Sequence, residues 1–304
     1  MKLFSILIAN YNNGHFFKDC YKSILEQEYQ NWEVVIVDDA STDNSIALIE
    51  EIIKGDNRFK LFLNNRNMGC GYTKKKCTDL ASGDILGFLD PDDALYKDAL
   101  SEMVNSHLSN PLYSLVTSKY DLVDLEMRYK SSGEHGSKIP SGHSYLTFGK
   151  GALTAFASFK KCYYSKTEKI DVNMKRAVDQ DLYYKMEEVG KLGFIDKVLY
   201  KYRIHQGSIS QNDNLYKAQY WHFYALNNAF KRRVKLKINV SNFSISQIKT
   251  IRVDYYINRL RRLKFKENTL GAKLYFLNQA FKASFFYRFN LKLKSLILII
   301  TGRI

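Results

Sequence analysis

The chain has 304 residues, 45% of them hydrophobic and 25% charged, close to the globular average, which excludes a disordered tail, a collagen and a coiled-coil rod. Its 46 Lys and Arg against 31 Asp and Glu leave a net charge of +15 that is unevenly spread. Residues 205–304 hold 19 basic side chains against Asp213, Asp254 and Glu267, so a nearly neutral body carries a basic C-terminal third. Cys20, Cys70, Cys77 and Cys162 form no C-x-x-C pair; neither a structural zinc nor a disulfide scaffold is expected, and a reduced, cytoplasmic setting is the default. The apolar opening turns polar at Asn10, too early for a signal peptide, and no run reaches the roughly 18 apolar residues of a membrane span.

Residues 3–9 form a short apolar run that ends in the polar turn Asn10-Tyr11-Asn12-Asn13-Gly14. Phe17, Cys20, Tyr21, Ile24 and Leu25 then recur at helical spacing. Residues 33–37 are β-branched and close on Asp38-Asp39; a helix is expected to start within residues 41–43. A third strand is expected at 59–63, a third helix at 72–81, and a fourth strand at 85–89 that ends in Asp90-Pro91-Asp92-Asp93, before a helix from about Tyr96. Strands separated by short helices read as βαβ units and a parallel sheet, whose ligand crevice lies beyond the carboxyl ends of its strands. Further on, 113–123 is strand-like, 131–151 loop-like, 179–189 helical and 194–203 strand-like. Beyond Asn214 basic, aromatic-rich helices follow, with a domain boundary expected near Gln211.

Three carboxylates within Asp90-Pro91-Asp92-Asp93 repel one another unless a cation with hard oxygen ligands sits between them, and Mg or Mn would also bridge to a diphosphate. The plainer alternative is an acidic turn capping the next helix. Asp38-Asp39, followed by Ala40-Ser41-Thr42-Asp43, reads equally as a cap. Lys74-Lys75-Lys76 could offset a phosphate or form a solvated face. Asp179-Gln180-Asp181 opens a helix, where the dipole alone favours carboxylates.

Taken in order, the segments Ser5-Ile6-Leu7-Ile8-Ala9-Asn10-Tyr11-Asn12, Val35-Ile36-Val37-Asp38-Asp39-Ala40-Ser41-Thr42-Asp43, Asn67-Met68-Gly69, Ala81-Ser82-Gly83-Asp84, Phe88-Leu89-Asp90-Pro91-Asp92-Asp93, Asp179-Gln180-Asp181-Leu182 and Tyr202-Arg203-Ile204-His205 with Ser208 and Ser210 resemble the inverting family 2 glycosyltransferases with the GT-A fold. The resemblance covers about residues 1–212. It implies an α/β GT-A domain over 1–211, with a mixed, mainly parallel central sheet, followed by a basic helical region over 212–304.

The resemblance also implies the site. Ala9, Tyr11, Asp39, Asn67, Lys74 and Asp90 would contact a nucleotide-sugar donor, expected to be UDP-linked. Tyr11 and Asp39 would hold its base, and Asp90 would lie near the ribose or a metal-bound water. Asp92 would be the main ligand of Mg or Mn, His205 a further metal or diphosphate contact, and Asp179 the catalytic base. Val178 stands where the family usually has an acidic residue before the base, so Asp181 competes with Asp179 for that role. The segment Tyr72-Thr73-Lys74-Lys75-Lys76-Cys77 also departs from the family's small residues and Arg-Asn pair. A sugar hydroxyl needs a carboxylate to take its proton, and the leaving diphosphate needs its charge neutralised, so one base and one metal suffice for a single displacement with inversion. A retaining glycosidase would instead need two flanking carboxylates. The acceptor implied is a saccharide or a lipid-linked hydroxyl in bacterial surface-polysaccharide assembly.

A nicotinamide oxidoreductase is excluded because no G-x-G-x-x-G follows the first strand, and no phosphate loop of the G-x-x-x-x-G-K-[ST] type occurs. In the tail, Lys231-Arg232-Arg233 and Arg259, Arg261 and Arg262 interleave with aromatics, which admits nucleic acid as a competing partner and an inactive basic scaffold as a competing role. Leu270, Leu274, Leu277, Phe281 and Phe285 beside Lys273, Lys282 and Arg288 instead have the composition of an interfacial helix, with plain core packing of these apolar faces the alternative, and 295–300 adds further apolar surface. The partner expected is therefore an anionic membrane surface rather than nucleic acid, with the protein peripheral on the inner face of the cell membrane.

Overall fold

The computed structural model describes residues 1–149, 151–153, 156–205, 215–238, 245–263 and 270–301. The chain divides into two compact units, Met1–Ser208 and Ile209–Ile304. The expected boundary near Gln211, with Ser208 and Ser210, lies outside the described residues.

In the first unit β1 (Phe4–Asn10), α1 (Phe17–Leu25), β2 (Trp32–Asp38), α2 (Ser45–Ile53), β3 (Phe59–Leu63), α3 (Cys70–Leu80) and β4 (Ile85–Phe88) follow one another as βαβ units. Then come β5 (Ala94–Leu95), α4 (Ala99–Ser109), β6 (Tyr113–Val123), β7 (Tyr129–Ser132), α5 (Tyr145–Phe148), β8 (Ala157–Lys160), α6 (Lys161–Tyr164), α7 (Val178–Glu187) and β9 (Lys191–Arg203). The sheet order is β3-β2-β1-β4-β8-β6-β9-β5, with β7 beside β6. Strands β1 to β4 pair in parallel, β6 pairs in parallel with β9, and β8, β5 and β7 run antiparallel to their neighbours.

The parallel half is built from near-continuous apolar strands because both its faces are covered. Every residue of β2 is buried, and Phe4, Ile6, Ile8, Val34 and Ile36 pack with Phe17 and Ile24 of α1 and with Leu100 and Met103 of α4. Register then decides where the polar residues go. Asn10 pairs with Asp38, and Asp38 with Leu63, so the strand ends seen in the sequence line up along one edge of the sheet.

Local chemistry moves several boundaries. The turn after β2 delays α2 to Ser45, because Asp38 accepts from the Ser41 amide and hydroxyl, both at 2.7 Å, and Asn12 Oδ1 accepts from the Thr42 amide at 2.8 Å. Gly14 belongs to this arrangement: a Cβ there would lie 2.5 Å from Ser45 Cα. The acidic tetrapeptide does not cap the next helix, since β5 intervenes and α4 begins at Ala99. The segment 131–151 is not all loop; it holds the end of β7 and the short α5, started by a reciprocal Ser144–Thr147 capping box.

The second unit contains α8 (Leu215–Lys235), α9 (Ile245–Arg262), α10 (Leu270–Ala283) and α11 (Phe289–Ile300). Val253, Ile257, Ala280 and Ala283 form one core cluster, and Leu260, Leu277 and Ile299 another. The stripe read as one interfacial face is split between core and solvent. Leu277 is buried and so is Lys273, whereas Leu270, Leu274 and Phe285 stay exposed.

Candidate active site

At the carboxyl ends of β1 to β3 the two neighbouring aspartates do different work. Asp38 is consumed by the turn, accepting from Asn10 Nδ2 at 2.7 Å as well as from Ser41. Asp39 is buried and accepts, each at 2.8 Å, from Asn64 Nδ2 and the amides of Met68 and Gly69, so it shapes the loop 64–69. Ala9 lies in β1 opposite Val37, Tyr11 keeps its ring 43% exposed, and Asn67 is exposed in the loop. Asn12 and Ala40 take left-handed φ values of 56° and 58° next to Tyr11 and Asp39. Such backbone costs about 1 kcal/mol per residue and recurs at ligand-facing turns.

Helical geometry separates the three lysines of α3. Lys75 pairs with Asp79 one turn on, and Lys76 donates to the Leu63 carbonyl and to Asn64 Oδ1. Lys74 is 6% exposed, and its ammonium stands 2.8 Å from Asp179 Oδ1 and 3.7 Å from Asp90 Oδ1, above the Phe88 ring. Burial disfavours its charged form, but Asp179 and then Asp90 outweigh that and hold its pKa well above the ordinary lysine value. Asp90 is pushed above the usual carboxylate range: crowding by protein is the largest cause, Lys74 opposes it, and Asp92 and Asp179 add like charge. Its side chain still keeps 46% of its surface open at the cleft.

Asp179 reaches Lys74 because Gly71, in the first turn of α3, lets residues 171–174 approach: its amide donates to the Met174 carbonyl at 2.9 Å, and a Cβ there would collide with the Asp171 and Met174 oxygens. Ala177, with φ of 54°, then starts α7. The two carboxylates of this helix diverge. Asp181 is buried against Lys185, whose ammonium also donates to the Lys169 carbonyl at 2.7 Å, while Asp179 is 43% exposed.

The pairing of β5 with the end of β9 brings Asp92 and Asp93 to Arg203 and His205. Asp93 is buried and accepts from the Tyr200 hydroxyl at 2.6 Å and the Arg203 amide at 2.8 Å. Burial first, then Asp92 and Asp90, push its carboxyl well up, and burial with Asp93 likewise keeps Tyr200 a phenol. Arg203 is 2% exposed and donates to the Asp92 carbonyl, the Leu125 carbonyl and Asp19, with Phe16 under its guanidinium. Asp92 is left facing His205, Oδ2 to Nε2 at 2.9 Å.

Among the described residues no group of three or more His, Cys, Asp or Glu is placed to hold a metal. The donor chemistry of the Asp92–His205 pair nevertheless fits a divalent cation of the kind that takes one or two protein ligands and completes its shell with phosphate oxygens and water. The structure thus gathers Asp90 and Asp179 around the Lys74 ammonium, Asp92 with His205, and Asp39 with its loop, in which Asn67 is exposed. Sequence reasoning gives Asn64 and Tyr200 no site role, whereas Asp93 and Arg203 stand in the segments named above without the partners they have here. Of Asn64 and Tyr200, Asn64 carries a positional signal, directly after β3 like the other strand-end polar residues.

The model of "Glycosyl transferase family 2" matches residues 5–167. Chondroitin synthase from Escherichia coli is 28% identical over 209 residues, 67% of this chain and 29% of that protein, so the chain spans under a third of that relative's length. Among solved structures, S. aureus TarS 1-349 in complex with UDP-GlcNAc superposes with a TM-score of 0.64 at 17% identity, covering 93% of this chain and 81% of that one. The mannosyltransferase PcManGT from Pyrobaculum calidifontis, in complex with GDP-Man and Mn2+, gives 0.58 at 15% identity, covering 98% and 86%. These likenesses agree with the mixed α/β GT-A fold expected from the sequence. With more than half its length matched by the family model, the chain belongs to glycosyl transferase family 2.

Proposed function

We propose that the protein transfers a sugar from a nucleotide-diphosphate donor, UDP-linked, to a hydroxyl of a saccharide or lipid-linked acceptor in surface-polysaccharide synthesis, by a single displacement that inverts the anomeric centre. The observation that carries this reading is Asp179: an accessible carboxylate at the start of α7, beside the Lys74–Asp90 cluster and at the strand edge that gathers the acidic turns. TarS with UDP-GlcNAc and the mannosyltransferase with GDP-Man and Mn2+ support a nucleotide-sugar donor and a divalent cation here.

In this reading Tyr11 offers its exposed ring to the nucleotide base. Asp39 holds the loop 64–69 in shape and keeps lone-pair capacity for a base N–H, while Ala9 and Asn67 line the same end. Asp92 and His205 would hold Mg or Mn, which neutralises charge on the leaving diphosphate. Arg203 and Tyr200 fix the turn that presents Asp92. Asp90 lies toward the ribose. Lys74 orients the Asp179 carboxylate and supplies positive charge, and Asp179 takes the acceptor's proton. Asp181, engaged by Lys185, serves the fold. The basic second unit holds the protein to an anionic membrane at the cytoplasmic face.

The test is a donor screen. Purified protein is incubated with a panel of nucleotide sugars and Mn or Mg, because transferases leak donor slowly to water. Hydrolysis of one donor, lost on chelation and in Asp179→Asn, is expected. Failure to bind or turn over any nucleotide sugar would reverse the reading in favour of an inactive scaffold.

A further inference from the structure

An amphipathic helix ordinarily buries its apolar side chains and turns its polar ones to water. In α11 the arrangement is partly reversed. Lys292 and Ser295 are 0% and 5% exposed, while Leu293, Ile297 and Ile300 are 42%, 53% and 73% exposed. The buried polar groups have partners: the Lys292 ammonium donates to the Ser284 and Phe285 carbonyls beyond α10 and lies over the Phe281 ring, and Ser295 donates to the Leu291 carbonyl at 2.8 Å. Ile299 is buried and Leu291 and Leu296 pack against the core of this unit, so the inner face combines apolar and satisfied polar groups, while Leu293, Ile297 and Ile300 point outward.

Leu293, Ile297 and Ile300 fall on one stripe, because their spacing of four and three returns to the same side of a helix. Phe289, one turn earlier, meets the Phe285 ring at 5.5 Å, and Phe285 and Phe286 protrude from the turn between α10 and α11, 56% and 83% exposed. Lys282 and Lys294 are exposed around this surface, as is Arg288, which pairs with Asp254 at 2.6 Å, and no Asp or Glu occurs anywhere from 268 to 304.

We propose that this turn and stripe form a docking surface for an anionic phospholipid bilayer. The proposal deepens the membrane part of the reading above and rests on it, but is independent of the catalytic assignments. Charge selects the occupant. A symmetric second copy would set Lys282 and Lys294 against their own counterparts with no carboxylate from the segment between them, whereas an anionic leaflet complements them. Length selects the mode. No described helix is long and apolar enough to cross a membrane, so α11 lies in the plane of the interface with its aliphatic stripe down and the two phenylalanines at its leading end.

The experiment uses the full chain with phosphatidylcholine vesicles, with and without phosphatidylglycerol. A Phe286→Ser, Ile297→Ser, Ile300→Ser variant alters only exposed side chains, and its melting temperature checks the fold. Full-length protein should float with the anionic vesicles, and the triple variant should partition at least tenfold more weakly. In a Phe286→Trp variant, fluorescence beyond that of the native tryptophans should be quenched by lipids brominated on the acyl chain. Undiminished flotation of the triple variant, or absence of quenching, would leave binding to charge alone and overturn the docking surface while the membrane reading survives. No flotation by the full-length protein would overturn both. A dimer that the triple variant dissociates would reassign the surface to a second copy. Donor hydrolysis, unchanged in the triple variant, keeps each of these results separate from the catalytic reading.

Discussion

Asp179 and Asp181 sit two residues apart in one helical turn, yet one is tethered at the cleft and the other sealed against Lys185. Their substitutions should therefore separate. Asp179→Asn keeps a good helix-start residue but removes the proposed proton acceptor, so kcat should fall on the order of 10²-fold or more in a protein that still folds, with a lower melting temperature because Lys74 loses its 2.8 Å partner and keeps only Asp90. Asp181→Asn breaks a buried pair, so urea unfolding should report a loss of about 3 kcal/mol while the folded fraction retains turnover. The opposite pattern would exchange the two roles. The sequence narrowed the choice to these two carboxylates but not further. Which one meets Lys185 depends on helix phase and on Lys169, whose carbonyl shares the ammonium from outside the helix.

At the level of elements, two contacts join segments distant in the chain. Arg203, at the end of β9, links the Asp92 and Leu125 carbonyls to Asp19 of α1. A lysine offers one compact charge where a planar fork now serves three acceptors, so Arg203→Lys should lose about 3 kcal/mol by urea unfolding and also weaken Mn binding. His107 of α4 meets Ser158 of β8 at 2.9 Å and is 1% exposed. Burial, helped by the charge of Lys160, pushes its pKa down to about 4. The unfolded chain, with an ordinary histidine, takes up a proton as pH falls below about 6.5 whereas the folded protein does not, so this stabilisation is full above that pH and is lost toward pH 4. Wild type should lose on the order of 2 kcal/mol more than His107→Gln between pH 6.5 and 5, measured by urea unfolding at each pH. Parallel slopes for the two proteins would refute the assignment.

For the molecule as a whole, ligand binding and stability are linked. If Asp92 and His205 share a cation with the donor's diphosphate, UDP and Mn together should raise the melting temperature more than either alone. At a hundredfold excess over Kd the gain is about 2.7 kcal/mol. Excess chelator or Asp92→Asn should remove the combined gain and abolish turnover without unfolding the protein. An undiminished shift in that variant would place the metal elsewhere.

The sequence by itself determined the alternation of strand and helix, the acidic strand ends and the basic C-terminal third, because apolar periodicity, β-branched runs and charge are local properties. Register in a parallel sheet then places Asn10 beside Asp38 with little freedom. Tertiary structure alone decided that Asp38 is spent on a turn while Asp39 shapes a loop, and that Lys74 leaves its lysine run to hold Asp179. It also decided that Arg203 is buried behind Asp92 and that α11 turns Ile297 and Ile300 outward while burying Ile299. Each outcome depends on a partner remote in the chain or on a helix phase set by packing, and a hydrogen bond or a buried charge acquires its value only once that partner has arrived.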